Sequence, residues 1–282
     1  MKDLAGRVAI LTGASRGIGV LIARQLAARG VHLALAARDT AALEALRDEL
    51  VASGARAIAV PTDVSDPAAL ATLVAATEEQ LGPVDLLVNN AGIENAAAFE
   101  VLDPSEIDRF LAVNLAGPLH LARLVLPGML ARNRGHIVNV ASLAGLGPTA
   151  FGECYAATKH GLVGFTRSLR ASSQASGSAV SASAVCPGFV RDVGMYHQMR
   201  EDGGRAAPAI LGTCSPDAVA RGVVRAIERD LPDVIVNPGP MRLFFAIQAT
   251  LPRFFEWVLL RIGAHGVFAS TAEARGQGRR AG

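Results

Sequence analysis

The chain has 282 residues, 27 basic and 25 acidic side chains, and 51% hydrophobic residues. That much apolar surface excludes a disordered chain, and a chain of this length buries roughly 75% of its unfolded surface without a disulfide or metal staple. A formal net charge of +2 gives no basic field, so nucleic acid is not an expected partner.

Strand-like runs alternate with helical patterns from residue 7 to about 237. Residues 7–12, 31–37, 57–62, 84–89, 136–141, 179–186 and 233–237 read as seven short strands, several almost entirely apolar, as for strands buried on both faces of a parallel sheet. Helical stretches lie between them and carry start signals. Ser65-Asp66-Pro67 places a cap and then a proline at the first helical position, and Ser215-Pro216 repeats the device. This alternation predicts an α/β, doubly wound fold: a seven-stranded, mostly parallel sheet with helices on both faces and right-handed crossovers.

Residues 1–265 are expected to form one domain, followed by a flexible tail over 266–282. Met1-Lys2-Asp3-Leu4 runs straight into the first strand without a secretory pattern. The uncharged runs 135–152 and 171–190 are interrupted by Gly, Asn, Ser, Gln or Pro, so no transmembrane span is expected. Cys154, Cys186 and Cys214 are few and far apart, which suits reduced thiols and a cytoplasmic location. The six histidines show no ligand spacing, and no metal is expected.

The first strand ends in Thr12-Gly13-Ala14-Ser15-Arg16-Gly17-Ile18-Gly19, and a helix follows. Glycines there let the backbone turn tightly and approach a pyrophosphate, while the helix N-terminus offers free N–H groups and positive dipole charge. The strand–turn–helix context is what a dinucleotide site requires.

Tyr155 and Lys159 form a second signal. The chain has two tyrosines and two lysines (Lys2 and Lys159) against 25 arginines. Random placement would put a tyrosine four residues before a lysine in about one such sequence in 70. On a helix the two side chains share a face, and a retained lysine in so arginine-rich a chain points to a need for a compact ammonium. Such a charge ~5 Å from the phenol favours the phenolate by ~3 kcal/mol at an effective dielectric of ~20. This is expected to bring Tyr155 within range of general acid–base work.

The Gly-x-x-x-Gly-x-Gly spacing, Asn89-Asn90-Ala91-Gly92, Asn114, Ser142, the Tyr155/Lys159 pair and Pro187-Gly188 together resemble the short-chain dehydrogenase/reductase family over roughly residues 5–240. The resemblance implies a Rossmann-like fold and a catalytic set of Asn114, Ser142, Tyr155 and Lys159. In it, Ser142 bonds the substrate oxygen and Lys159 also holds ribose hydroxyls. Asn114 offers its backbone carbonyl to a water of the proton relay; Pro118, which has no N–H, would leave that carbonyl without its helical donor. The implied cofactor set is Gly13, Ser15, Arg16, Gly17, Ile18, Gly19, Arg38, Asp63, Val64, Asn90, Ala91, Gly92, Pro187, Gly188 and Val190, together with Tyr155 and Lys159.

Cofactor choice turns on the end of the second strand. In the family's register its tip is Ala37, where an acid would read the 2′-OH of NAD, and Arg38 with Arg16 can clamp a 2′-phosphate. Asp39 reads as a helix start beside Thr40. NADP(H) is therefore the expected cofactor. Asp192 stands where the family usually has a threonine that bonds the nicotinamide carboxamide, which leaves that end of the cofactor less well defined.

Residues 187–214, rich in glycine, suggest a substrate lid. Residues 238–265 read as a hydrophobic helical extension. Five aromatics (Phe244, Phe245, Phe254, Phe255 and Trp257) fall within 14 residues of the run 241–262, which Arg242, Arg253, Glu256, Arg261 and Pro252 break. This segment could cover a dimer contact or the core, wall an apolar substrate pocket, or lie on a membrane; burial in protein, over an open sheet edge, is the expectation.

The resulting reading is an NADP(H)-dependent oxidoreductase that interconverts a hydrophobic ketone and a secondary alcohol by hydride transfer, in a homo-oligomer (dimer or tetramer). The alternatives are an NADP(H)-binding sensor or scaffold without turnover, an NAD-preferring alcohol dehydrogenase of the same fold, and a sugar-nucleotide epimerase or dehydratase. The last would have Gly-x-x-Gly-x-x-Gly and a larger C-terminal domain.

Overall fold

The computed structural model describes residues 1, 3–201, 204–209, 211–264, 266–269 and 272–273. The strands are β1 (Val8–Thr12), β2 (His32–Ala37), β3 (Ala57–Pro61), β4 (Leu86–Asn89), β5 (Gly135–Val140), β6 (Val180–Pro187) and β7 (Asp233–Val236). Helices α1 (Ile18–Ala27), α2 (Thr40–Ala52), α3 (Pro67–Gln80), α4 (Pro104–Leu111), α5 (Gly117–Ala131) and α6 (Glu153–Ala175) alternate with them. Helices α7 (Met195–Glu201), α8 (Pro216–Arg229), α9 (Met241–Thr250) and α10 (Pro252–Arg261) follow.

All seven strands pair in parallel in the order β3-β2-β1-β4-β5-β6-β7. The Rossmann-like, doubly wound α/β architecture is thus as expected. Its order reverses between β1 and β4, and in such sheets the crevice for ligands opens at that reversal, beyond the strand C-termini.

The near-continuous apolar character of the strands has a direct cause. One face packs Leu11, Leu33, Leu35, Val88 and Val185 against α1, α2 and α8. The other packs Ile10, Ala34, Leu87, Ile137 and Ala182 against α3 and α5. The two start signals form as read. Asp66 accepts from Ala68 N with Pro67 opening α3, and Ser215 accepts from Ala218 N with Pro216 opening α8.

Helices α4 and α5 are joined through one π-helical turn, Ala112–Ala116, into a run long and apolar enough to cross a membrane by length and composition. Leu121, Ala122, Val125 and Met129 on this run are buried against α3 and the sheet, so it serves here as a core helix. The break anticipated at Pro118 takes the form of this turn, in which Gly117 N donates to Ala112 O. The widened turn absorbs the missing proline donor without ending the helix.

The C-terminal segment meets two parts of the fold. Helix α9 reaches the edge strand β7, where Arg242 Nη2 donates to Asp233 O at 3.0 Å, and it also lies over the turn after β5. A Cβ on Gly147 would sit 2.7 Å from the Phe245 ring and 2.9 Å from Gln248 Oε1. Met241, Phe255 and Leu259 are buried, but Leu243, Leu251, Phe254, Trp257 and Leu260 are each more than half exposed. Burial of the aromatic face is therefore only partial. Part of the expected flexible tail over 266–282 is described. Residues 266–269 are helical, Val267 and Ala272 are buried, and Phe268 meets Phe189 at 6.2 Å between ring centroids. Positions 270, 271 and 274–282 of that segment lie outside the described residues.

At the opposite end of the sheet from the crevice, His136 is 2% exposed and its Nε2 lies 2.8 Å from Ser183 Oγ. Ser183 spends its only proton on Leu231 O, so His136 Nε2 must be the donor to it. Burial pushes the His136 pKa down to about 4, against the pull of Asp230. The folded value lies below the ordinary one near 6.5. The unfolded chain therefore takes up this proton first, and stability is lost as pH falls from about 6.5 to about 4. This residue alone should remove about 3 kcal/mol over that window. Urea unfolding at pH 7 and pH 4.5 should show a smaller acid loss in His136→Gln, which keeps a donor toward Ser183.

Candidate active site

The β1–α1 turn carries Gly13, Ser15, Arg16, Gly17, Ile18 and Gly19 to the sheet reversal. Gly13 adopts φ +66°, and a Cβ there would lie 2.9 Å from Ala91 Cα and N. A Cβ on Gly19 would lie 2.0 Å from Gly13 O. Both positions thus exclude a side chain, because the turn folds against itself and against β4. At the start of α1, Gly17 offers no side-chain cap. Its first N–H groups are left for an anion, as a pyrophosphate site needs. The cradle fits a dinucleotide.

A residue absent from the sequence-derived set holds this cradle together. Thr12 is 2% exposed; its Oγ1 accepts from Asn90 N (3.0 Å) and Ala91 N (3.1 Å) and faces Val88 O. Asn90 Nδ2 in turn donates to Thr12 O and Gly13 O, both at 3.1 Å. Asn90 and Ala91 therefore lock the end of β4 to the glycine turn. Thr12 was visible as the residue opening the glycine motif, but its buried hydroxyl gains a role only when β4 is placed alongside.

The residues expected at the adenine end lie at the tips of β2 and β3. Ala37 pairs with Pro61 and is buried, while Arg16 and Arg38 are exposed. Asp39 caps α2, accepting from Ala42 N at 3.1 Å. Asp63 accepts from both the hydroxyl and the N–H of Ser65, which hold its carboxyl below the usual carboxylate range; the charges of Arg38 and Arg109 add to this. Val64 is buried, and its carbonyl would be 2.3 Å from a Cβ on Gly117.

Asn114 sits within the π-helical turn and is fully buried. Its side chain clamps Ile93 from both sides, Oδ1 accepting from Ile93 N and Nδ2 donating to Ile93 O, each at 2.8 Å. The segment after Gly92 is thereby fixed beside α6. A Cβ on Gly92 would lie 3.2 Å from Asn114 Oδ1 and 3.5 Å from Lys159 Nζ.

Ser142, Tyr155 and Lys159 converge at the end of β5. Ser142 Oγ accepts from Ala144 N at 3.1 Å, which leaves its proton for the hydrogen bond it makes with the Tyr155 phenol. Lys159 Nζ donates to Val140 O at 3.0 Å and lies 5.6 Å from the centre of the Tyr155 ring. Tyr155 is 5% exposed and Lys159 3%.

The electrostatics correct one expectation. Lys159 does not bring the Tyr155 pKa down in this site. Burial raises it above the ordinary phenol value, the charge of Glu94 raises it further, and the Ser142 hydrogen bond opposes them only in part. The ~3 kcal/mol expected from the ammonium assumed a solvated phenol. Here desolvation of the phenolate outweighs it. Burial likewise pushes Lys159 down to about 8, with Glu94 pulling the other way, and pushes Glu94 up to about 7. Glu94 is the second residue missing from the sequence-derived set. Its only signal was an acid two residues after the Asn-Asn-Ala-Gly run.

Beyond β6, Gly188 N donates to Val236 O, and Val190 bridges to Cys214. Pro187 ends β6. The 187–214 segment is more ordered than a strandless lid. It contains α7, Phe189 packs on Tyr196 at 4.9 Å, and Tyr196 Oη accepts from Ala207 N. Val193 and Gly194 lie about 4 Å from the point a Cβ on Gly17 would occupy, so the segment starts over the glycine turn. Asp192, at the departure from the threonine pattern, adopts φ +70° and pairs with Arg191 at the surface.

Comparison with known proteins agrees with this geometry. A family profile described as short chain dehydrogenase matches residues 7–204. Ketoacyl reductase HetN of Nostoc sp. is 38% identical over 266 residues, 91% of each chain. A short-chain dehydrogenase/reductase of Burkholderia phymatum in complex with NAD superposes with a TM-score of 0.76 at 30% identity, over 93% of this chain and 97% of that one. A metagenomic short-chain oxidoreductase in complex with NADP gives 0.70 at 36% identity, over 84% of this chain and 100% of that one. The chain belongs to the short-chain dehydrogenase/reductase family, and it is an NAD(P)-dependent oxidoreductase of ketones and alcohols.

The Thr12 ties make a direct prediction. Thr12→Val keeps the shape but leaves two N–H groups without their acceptor. It should lower stability by about 2 kcal/mol and weaken nicotinamide dinucleotide binding, read by urea unfolding and by fluorescence titration.

Proposed function

We propose that this protein is an NADP(H)-preferring ketoreductase of hydrophobic carbonyl compounds, with Ser142, Tyr155 and Lys159 as its catalytic residues. The observation that carries the reading is the convergence of these three side chains at the end of β5, with Tyr155 and Lys159 buried and Ser142 half-buried.

When bound, the nicotinamide supplies the hydride acceptor or donor. The remaining work belongs to the chain. The Ser142 hydroxyl and the Tyr155 phenol receive the substrate oxygen. In reduction, Tyr155 Oη gives its proton to that oxygen; in oxidation, it takes the proton from the alcohol. The raised pKa keeps Tyr155 protonated at neutral pH, the form in which its Oη can donate to a ketone oxygen. Lys159, placed by Val140 O, is the cation nearest the ring and stabilises the phenolate left after transfer. The Asn114 carbonyl, to which Pro118 cannot donate, is the acceptor for a relay water.

Preference for NADP(H) is supported by three adjacent residues. Ala37 offers no carboxylate to a 2′-OH, Arg38 is free to meet a 2′-phosphate beside Arg16, and Asp39 is engaged in capping α2. An apolar substrate is supported by the position of α9, whose Phe245 lies against Gly147 in the turn following Ser142.

Two outcomes are expected. Tyr155→Phe should retain NADPH affinity within a few fold and lose roughly 100-fold or more in turnover, followed by NADPH absorbance on a panel of ketones. Turnover equal to wild type would remove Tyr155 from the mechanism. Arg38→Ala should weaken NADPH roughly 10- to 100-fold and leave NADH nearly unchanged, and adding Ala37→Asp should shift preference toward NADH. Tighter binding of NADH than NADPH by wild type would overturn the cofactor assignment.

A further inference from the structure

Glu94 is a titratable group beside Lys159 and Tyr155 that the reaction above does not use. Its position is set by its neighbours. On one side, Ile93 is held at both backbone atoms by Asn114. On the other, Asn95 Nδ2 donates to Glu106 Oε1 at 2.8 Å. Between these two anchors Glu94 is partly buried, and its charge acts on both Lys159 and Tyr155.

Acids elsewhere along this end of the sheet have partners. Asp39 takes Ala42 N, Asp63 takes Ser65, and Asp66 takes Ala68 N. No hydrogen bond among the described residues reaches the Glu94 carboxyl. Its lone pairs are therefore open, and its segment runs beside the reacting groups: Ile93 packs on the cluster of Phe110, Ala144, Cys154 and Tyr155, and a Cβ on Gly92 would lie 3.5 Å from Lys159 Nζ. A carboxyl so placed gains from a hydrogen-bond donor on the substrate and repels a carboxylate.

We propose that Glu94 is the substrate-selecting residue of this site. It accepts a hydrogen bond from a hydroxyl or amine carried close to the substrate carbonyl, and it excludes carbonyl compounds with a carboxylate at that position. The inference rests on the ketoreductase reading, and it narrows the substrates to apolar carbonyl compounds with such a donor.

The rival role for Glu94 is that of a counter-charge to Lys159, which would act on every substrate alike. The ratio between substrates separates the two. With full-length protein and NADPH, kcat/KM is measured for acetoacetate, its methyl ester and 4-hydroxy-2-butanone, in wild type and Glu94→Gln. Wild type should prefer the hydroxyketone to the ester and the ester to the acid. Glu94→Gln should raise acetoacetate relative to its ester at least 10-fold. It should also lower the hydroxyketone relative to the ester several fold. Ratios within two-fold of wild type would overturn the proposal.

A pH series adds a readout that a structural role would not move. The charged groups facing Glu94 are Lys159 and the Tyr155 phenol on α6, with Glu106 next along through Asn95. Lys159 titrates in the same window but affects all three probes together. Discrimination against acetoacetate should relax from pH 8 to pH 6 in wild type, as the Glu94 carboxyl takes up its proton. It should stay flat in Glu94→Gln; equal slopes in the two proteins would count against the proposal.

If wild type reduces none of the three, the selection is read from binding instead. Calorimetric titration of acetoacetate and of 4-hydroxy-2-butanone into the protein with NADP+ should show the same shift in relative preference toward acetoacetate in Glu94→Gln. Its presence would retain the site's selectivity while the ketoreductase reading fails. Unchanged preference would overturn the selectivity itself.

Discussion

The structure depends on how closely the ends of β1 and β4 approach where the strand order reverses. Gly13 lies so near Ala91 that no Cβ fits between them, and the Thr12 hydroxyl accepts both N–H groups that leave β4. This contact opens the crevice, sets the glycine turn at the start of α1, and sends the chain from Gly92 toward Asn114. From there the clamp on Ile93 ties the crevice to the α4–α5 run, and the proximity of Gly92 to Lys159 ties it to α6. The cofactor cradle and the tyrosine–lysine pair are thus parts of one hydrogen-bonded assembly.

Burial governs the chemistry of that assembly. The groups gathered at the end of β5 and β4 have shifted protonation because water is excluded, and the direction of each shift follows from its charge type. The phenol and the Glu94 carboxyl are pushed up, and the ammonium is pushed down. Glu94 and Lys159 each favour the other's charged form, so removing either charge alters the other. Tyr155 is held in its protonated form by this environment.

The long helical run through Asn114 shows how a local irregularity serves position. A regular helix would need an N–H at residue 118, and proline has none. One widened turn accommodates this and places the Asn114 side chain on Ile93 while the rest of the run packs its apolar face on the sheet. Pressed by Gly117 against the Val64 carbonyl, the same turn links the helix to the loop after β3. A single proline thereby connects the two ends of the crevice.

Much of this was legible along the chain. Alternating apolar runs and capped helices determined the parallel sheet, since strands buried on both faces must be apolar throughout. The glycine spacing and the Tyr155/Lys159 pair marked the crevice, because their requirements are local: a turn without side chains, and two residues one helical turn apart. Asp39 was readable as a cap for the same reason. Three things came only from the tertiary structure. Thr12 and Glu94 gain their roles from segments about 80 and 60 residues away. The protonation of Tyr155 follows from burial, which no spacing reports. The aromatic C-terminal helices could be read as apolar, but only packing decided that Phe255 is covered, that Phe254 and Trp257 stand exposed, and that Phe245 lies over the turn after Ser142. Sequence determines what a residue does to its immediate neighbours; contacts between distant segments, and the water they exclude, decide the rest.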